Sequence, residues 1–185
     1  MRMKIFSSKR DKIIVLVILL ILIFFIGIRP YFKTNQQNVE AIEEIKPLVL
    51  NWLSYNEGLT LAEKENKYVL INFYTDWCGY CKKMDREAYS DKEIIKAISQ
   101  NFVTIRINAE AESKVLENGK EITERELAKL YQVGGYPTIW FLESDHKKIA
   151  PLPGYVPPQQ FKIVLNYIGE GWYKSVSFEE YLKKI

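Results

Sequence analysis

Tyr68-Val69-Leu70-Ile71-Asn72-Phe73-Tyr74-Thr75-Asp76-Trp77-Cys78-Gly79-Tyr80-Cys81-Lys82 is the stretch on which the fold turns. Its first seven residues are β-branched, aromatic or long aliphatic with one polar interruption, which is the composition of a buried central strand. Two cysteines three apart follow, and beyond Cys81 the pattern turns helical. A Cys-x-x-Cys pair alone is a weak motif; set between a buried strand and a helix it becomes a strong one. The orphan N–H groups and the positive dipole end of a helix N-terminus favour an anion. A Cys78 thiolate placed there is expected to form near neutral pH and to act as a nucleophile. Cys81, one helical turn on, is expected to be the more buried thiol and to resolve a mixed disulfide by attacking Cys78.

These are the only two cysteines among 185 residues. The loop they would close is too short to add much stability, so a purely structural local bridge is the weaker alternative. A zinc centre needs about four ligands. The chain offers two cysteines and one histidine, His146, which reads as a solvated turn residue, so neither metal nor cofactor is expected. Trp77, beside the nucleophile, reads as a shield for the sulfur and a flat contact for a partner, with plain core packing as the alternative. The 26 basic residues outnumber the 23 acidic ones by only three and form no stripe, so nucleic-acid binding gains no support from charge.

Upstream, residues 1–12 are basic, with Arg2, Lys4, Lys9, Arg10 and Lys12 against a single Asp11. Ile13 to Ile28 is an unbroken apolar run. Helical, it falls slightly short of a bilayer core of about 30 Å. Snorkelling by Arg29 and interfacial seating of Tyr31 and Phe32 complete a span over 13–32. No small-residue cleavage site follows, so the segment reads as an uncleaved signal anchor. The basic flank places the N-terminus in the cytoplasm and the body outside it, on a single-pass inner-membrane protein facing the periplasm or cell exterior. A polar stretch over 33–40 opens a tether taken to 44, and the folded domain is expected over 45–185.

Within 41–66 the apolar set Leu48, Leu50, Trp52, Leu53, Leu59, Leu61 and Ala62, broken by Pro47 and Gly58, predicts two short helices. Ser90-Asp91-Lys92-Glu93 predicts a capping box for a helix toward Asn101. Phe102 to Ile107 predicts a second strand, Asn118-Gly119 a turn, and Thr123-Glu124-Arg125-Glu126 a capped helix through Tyr131. Thr138 to Leu142 and Lys148 to Leu152 predict strands joined by a turn at Ser144-Asp145-His146. Phe161 to Ile168 and Phe178 to Ile185 predict the last helices. Alternating strands and helices with a late hairpin give an α/β domain with a central mixed β-sheet flanked by helices. Gly134-Gly135-Tyr136-Pro137-Thr138 puts a proline at the first residue of a strand, where it is tolerated, and a cis bond there would bend the chain sharply.

Over roughly residues 59–169 the chain resembles the thioredoxin superfamily. The likeness rests on Asn72 to Lys82, on Arg106-Ile107-Asn108 and on Tyr136-Pro137-Thr138. It is similar to the C-terminal domain of transmembrane thiol–disulfide interchange proteins through Tyr74 to Cys78 and Ser90-Asp91. The segment from Glu121 to Val133 and Gly154-Tyr155-Val156-Pro157-Pro158 resemble exported SoxW-like thioredoxins. The resemblance implies a thioredoxin fold with an N-terminal transmembrane helix. It also implies that Pro137 is cis against the Cys78–Cys81 pair, and that the Tyr136 backbone pairs with an extended substrate. The family's buried aspartate is replaced here by Asn72. Asp85, one turn beyond Cys81, is the substitute candidate for deprotonating Cys81, with an exposed helix carboxylate as the alternative. The spacer Gly79-Tyr80 lacks the usual proline, which implies a potential less reducing than the roughly −270 mV of thioredoxin.

The resulting expectation is a membrane-anchored reductase or electron carrier for disulfide-bearing exported proteins, recharged by a membrane or periplasmic dithiol donor. A disulfide oxidase or isomerase is the first alternative, and a redox-inactive adaptor the second. The only segment with room for a dimerisation element is Trp172 to Ile185.

Overall fold

Val69, Leu70, Ile71 and Phe73 have no solvent exposure, because the strand that carries them lies in the middle of a sheet covered on both faces. The structure, a computed structural model, describes residues 49–185 together with residues 16, 18–22 and 24. The basic segment 1–12, the tether 33–44 and most of the expected span 13–32 lie outside the described residues. Among the described residues no helix is long and apolar enough to cross a membrane. The chain divides into two compact units, Met1–Pro47 and Leu48–Ile185.

The second unit runs β1 (Trp52–Leu53), α1 (Tyr55–Glu65), β2 (Tyr68–Tyr74), α2 (Gly79–Glu87), α3 (Lys92–Asn101), β3 (Phe102–Asn108), β4 (Lys114–Glu117), β5 (Lys120–Thr123), α4 (Glu124–Leu130), β6 (Thr138–Leu142), β7 (Lys148–Pro153) and α5 (Pro158–Gly169). A 3₁₀ turn (Trp172–Lys174) and α6 (Phe178–Leu182) follow. The main sheet has the order β1-β3-β2-β6-β7. β1 and β2 lie parallel to β3, while β6 is antiparallel to both β2 and β7. This is the thioredoxin fold: a mixed central sheet flanked by helices.

Strand periodicity sorts β2 between two cores. Val69, Ile71 and Phe73 face Tyr55, Leu59 and Ala62 of α1 and Leu127 and Ala128 of α4. Leu70 faces Met84 and Ala88 at the end of α2, with Ile94, Ile95 and Ile98 of α3 and Phe161, Leu165 and Ile168 of α5. Each such aliphatic or aromatic side chain contributes about 1.5–3 kcal/mol on full burial. Helix α1 lies so close to β3 that a Cβ on Gly58 would stand 2.2 Å from Ile105 Cγ1.

Several sequence expectations are corrected. Trp52 and Leu53, expected in a helix, form a short strand beside Thr104 and Ile105. The reason is that they pack into opposite cores, Trp52 on the α2 side and Leu53 on the α1 side, which is a period of two. The α3 cap is Asp91, whose Oδ1 accepts from the N–H groups of Glu93 and Ile94 at 2.9 and 3.0 Å. Ser90 instead donates to the carbonyl of Arg86. The expected Asn118-Gly119 turn is present, and it closes a hairpin, β4–β5. His146 lies just after the expected turn but is half-buried rather than fully solvated, its Nε2 3.2 Å from the Leu59 carbonyl oxygen. The capping box on Thr123 is present, and Ser177 adds another at the start of α6.

Candidate functional site

Where β2 ends, the Cys78 N–H donates to the Thr75 carbonyl at 3.2 Å, and the chain turns into α2 with Cys78 as its N-cap. The Cys81 backbone N–H donates to Cys78 Sγ at 3.0 Å. The two sulfurs are bonded at 2.11 Å, with Cα atoms 5.3 Å apart. The first turn of a nine-residue helix thus points the Cys81 amide at the Cys78 sulfur, which is the arrangement that favours a thiolate once the bond opens.

The two cysteines are equally covered, each 3% exposed, so Cys78 is not the more accessible of the pair as expected. What stands in solvent is the frame around them: Trp77 at 67% and Tyr80 at 64%. In the oxidised state Cys78 differs from Cys81 in place rather than exposure. Cys78 caps the helix from outside its first turn, and Cys81 lies within that turn.

The Tyr136–Pro137 bond is cis. Thr138, the next residue, pairs with Phe73 of β2, which puts the proline loop at the same end of the sheet as the disulfide. The Trp77 and Tyr136 rings meet edge to face at 6.0 Å. A Cβ on Gly79 would meet nothing within 4 Å, so the surface over the spacer is open. Burial, and then the negative charge of Glu110, push the Tyr136 phenol above its ordinary pKa.

Beneath the site, Asn72 is buried and its Oδ1 has no hydrogen-bond partner among the described residues. An amide does not titrate, so no proton acceptor stands at that position. Asp85 is bound by the Arg106 guanidinium at 2.8 Å, and Arg106 pairs with Asn72 across the ladder.

Sequence reasoning missed three participants. Glu110 accepts the Trp77 indole N–H at 3.0 Å. Asn108 accepts the Glu110 N–H at 3.1 Å, donates its side-chain amide to Asp76 at 3.2 Å, and gives its backbone N–H to Glu124 at 2.9 Å. Burial raises the Glu124 carboxyl pKa, and the Asn108 N–H opposes the rise. Tyr155 lies 6.2 Å from the Tyr80 ring. Asn108 and Tyr155 stood in the quoted family-like segments; Glu110 follows a strand end, where no spacing rule marks it. Among the described residues no cluster of His, Cys, Asp and Glu is arranged to hold a metal ion.

Known proteins place this geometry. The model of a thioredoxin-like domain family matches residues 55–169. A thioredoxin-fold protein from Helicobacter pylori is 32% identical with a TM-score of 0.54, over 65% of this chain and 80% of that one. The disulfide bond reductase DsbH of Chlamydia pneumoniae is 23% identical over 126 residues, 68% of this chain and 75% of the reductase. The thiol:disulfide interchange protein DsbD of Photorhabdus laumondii is 24% identical over 120 residues, 64% of this chain and 19% of that protein. The chain spans about a fifth of the length of several curated relatives it matches.

Proposed function

The chain belongs to the thioredoxin-like family, and from that premise we propose that it is a membrane-anchored thiol–disulfide oxidoreductase working outside the cytoplasm, chiefly as a reductase of exported proteins. The observation that carries the proposal is the Cys78–Cys81 disulfide at the N-terminus of α2, at the sheet end that also holds the cis Tyr136–Pro137 bond.

In the dithiol form, Cys78 Sγ loses its proton and attacks one sulfur of a partner disulfide. A Cys78–partner S–S bond forms, the partner's S–S bond breaks, and the leaving thiolate takes up a proton. Cys81 then gives up its proton and attacks Cys78 Sγ, re-forming the Cys78–Cys81 disulfide and releasing the partner's second thiolate, which is protonated in turn. Two electrons pass to the partner. A dithiol donor at the membrane or in the periplasm returns them, with the same steps in reverse. Trp77, Gly79 and Tyr80 form the surface against the partner, the Tyr136 backbone takes an extended segment beside Pro137, and Asp85 receives the Cys81 proton.

The reductase direction draws support from the Chlamydia relative, whose name is that of a reductase and three quarters of whose length this chain covers. Anchoring through 13–32, with the basic flank 1–12 inside and the tether 33–44 and domain 45–185 outside, draws support from the apolar run itself. The described residues 16, 18–22 and 24 within it are helical, apolar and exposed. An oxidase or isomerase role keeps one point in its favour, the Gly79-Tyr80 spacer without proline.

Insulin reduction by the full chain in detergent, with Cys78→Ser as control, tests the function. Turnover that the substitution abolishes is expected; equal rates would remove the enzyme in favour of a binding adaptor. The reduction potential then fixes direction, and a value near about −120 mV, that of a strong oxidant, would exclude the reductase.

A further inference from the structure

The approach to the disulfide has two chemically different flanks. On one, the Trp77 indole donates to Glu110 Oε2, and the Asn108 side chain accepts the Glu110 backbone N–H and donates to Asp76. On the other, Tyr80 leans on Tyr155, and the Lys83 ammonium lies 4.4 Å from the Tyr155 ring centroid. Both flanks are wet, but their charges differ in how they are matched.

Lys83 has a carboxylate within reach, Glu87 at 4.0 Å, which also accepts the Tyr155 hydroxyl. Glu110 and Asp76 have no cation paired with them among the described residues. Arg125 donates to the Glu110 backbone carbonyl at 2.8 Å and pairs its charge with Glu112 at 2.6 Å. A carboxylate has about four lone-pair sites. The indole uses one of them, and Glu110 is exposed. The same carboxylate holds in place an indole that is two-thirds exposed and belongs to the residue before Cys78.

An aromatic face with an unneutralised carboxylate at its edge is the recognition chemistry of a lysine or arginine side chain, which gains both a charge-assisted hydrogen bond and a cation–π contact. We infer that Glu110, acting with the Trp77 ring it positions, is a specificity-determining residue that selects partner segments carrying a lysine or arginine next to the attacked disulfide. The inference rests on the thiol–disulfide exchange proposed above and adds a substrate class to it. On the opposite flank Lys83 is half-buried beside Tyr155, and its charge already faces Glu87.

The test uses the reduced full chain and three disulfide-closed peptides of one length, with lysine, serine or glutamate beside the cysteine to be attacked. The lysine peptide is expected to show a KM roughly two- to fivefold below that of the glutamate peptide, as one partly screened ion pair allows. The difference should lie in KM rather than kcat and should shrink as salt shortens the Debye length below about 10 Å. Glu110→Gln keeps an oxygen to accept the indole N–H while removing the charge, and should collapse the ratio toward one. Glu110→Asp should retain most of it.

A wild-type ratio near one while all three peptides are reduced would overturn the inference and leave the oxidoreductase standing. A ratio that survives Glu110→Gln would overturn it as well, because the selection would then lie elsewhere. Reduction of none of the peptides would sink the underlying function and the inference together.

Discussion

Arg106 of β3 crosses to α2 and bonds Asp85 at 2.8 Å, with its guanidinium 4.4 Å from the Tyr74 ring centroid and 5.4 Å from that of Trp52. Asp85 stands four residues after Cys81, the spacing that puts two side chains on one face of a helix. A carboxylate that receives the Cys81 proton must do so while Arg106 holds it. Asp85→Asn preserves the shape and the acceptor for Arg106 and removes the base. Resolution of a Cys78 mixed disulfide is expected to slow by about a hundredfold, the lower range of general-base effects, with formation of that mixed disulfide unchanged. Quenched-flow separation of the two steps measures this. An unchanged resolving rate would make Asp85 a structural partner of Arg106 and nothing more.

The order of attack gives a second outcome. Cys78 caps α2 and accepts the Cys81 N–H, so its sulfur is the one the helix terminus stabilises. Cys81→Ala is therefore expected to accumulate partners joined to Cys78, visible as adducts on non-reducing gels, and Cys78→Ala to accumulate none. Adducts found on Cys81 with Cys78 replaced, and not the reverse, would invert the two roles.

Packing against the sheet supplies a third. An added Cβ at Gly58 would lie 2.2 Å from Cγ1 and 2.6 Å from Cδ1 of Ile105, which is fully buried. Gly→Ala inside a helix ordinarily stabilises by about 1 kcal/mol, but overpacking a closed core costs about 1–3 kcal/mol. The crowding wins, so Gly58→Ala should lower the urea midpoint. Adding Ile105→Val, which removes Cδ1, should cost less in the Gly58→Ala background than in wild type. Purely additive losses would mean the helix shifts away instead of crowding Ile105.

The sheet and its site were legible in the sequence to unequal depths. Strand β2, the Cys-x-x-Cys helix and the proline at the head of β6 announce themselves, because a buried run, a spaced thiol pair and an X-Pro before a strand are local signals. Trp52 and Leu53 did not, since two residues cannot display a period and nearby leucines mimic a helix. Glu110 was invisible for another reason. Its function lies in a bond to Trp77, 33 residues away in sequence, and only the fold of β3 beside β2 brings them together. The burial of Cys78 was equally unreadable, because it depends on tertiary packing around the disulfide that no local pattern displays.

Alkaline titration gives the last outcome, from the tyrosine pair under α1. The hydroxyls of Tyr55 and Tyr131 lie 3.1 Å apart, and Tyr55 donates to Glu117 at 2.6 Å. Burial pushes the Tyr131 phenol up to about 12, against a smaller downward pull from its bond to Tyr55. Burial, then the Tyr131 charge, also raises Tyr55. Unfolded tyrosines release their protons near about pH 10, so above that pH the unfolded chain binds fewer protons than the native one, and stability falls as pH rises. The neutral pair's contribution is therefore complete below pH 10 and is lost as the pH climbs toward and through about 12. Chemical denaturation at steps from pH 8 upward should show a steepening loss beyond pH 10. Tyr131→Phe, less stable at pH 8 for want of the hydroxyl bond, should lose stability less steeply over that window. Matching slopes for the two proteins would mean that Tyr131 ionises as readily in the native state as in the unfolded chain, and that its hydroxyl is not shut away beneath α1.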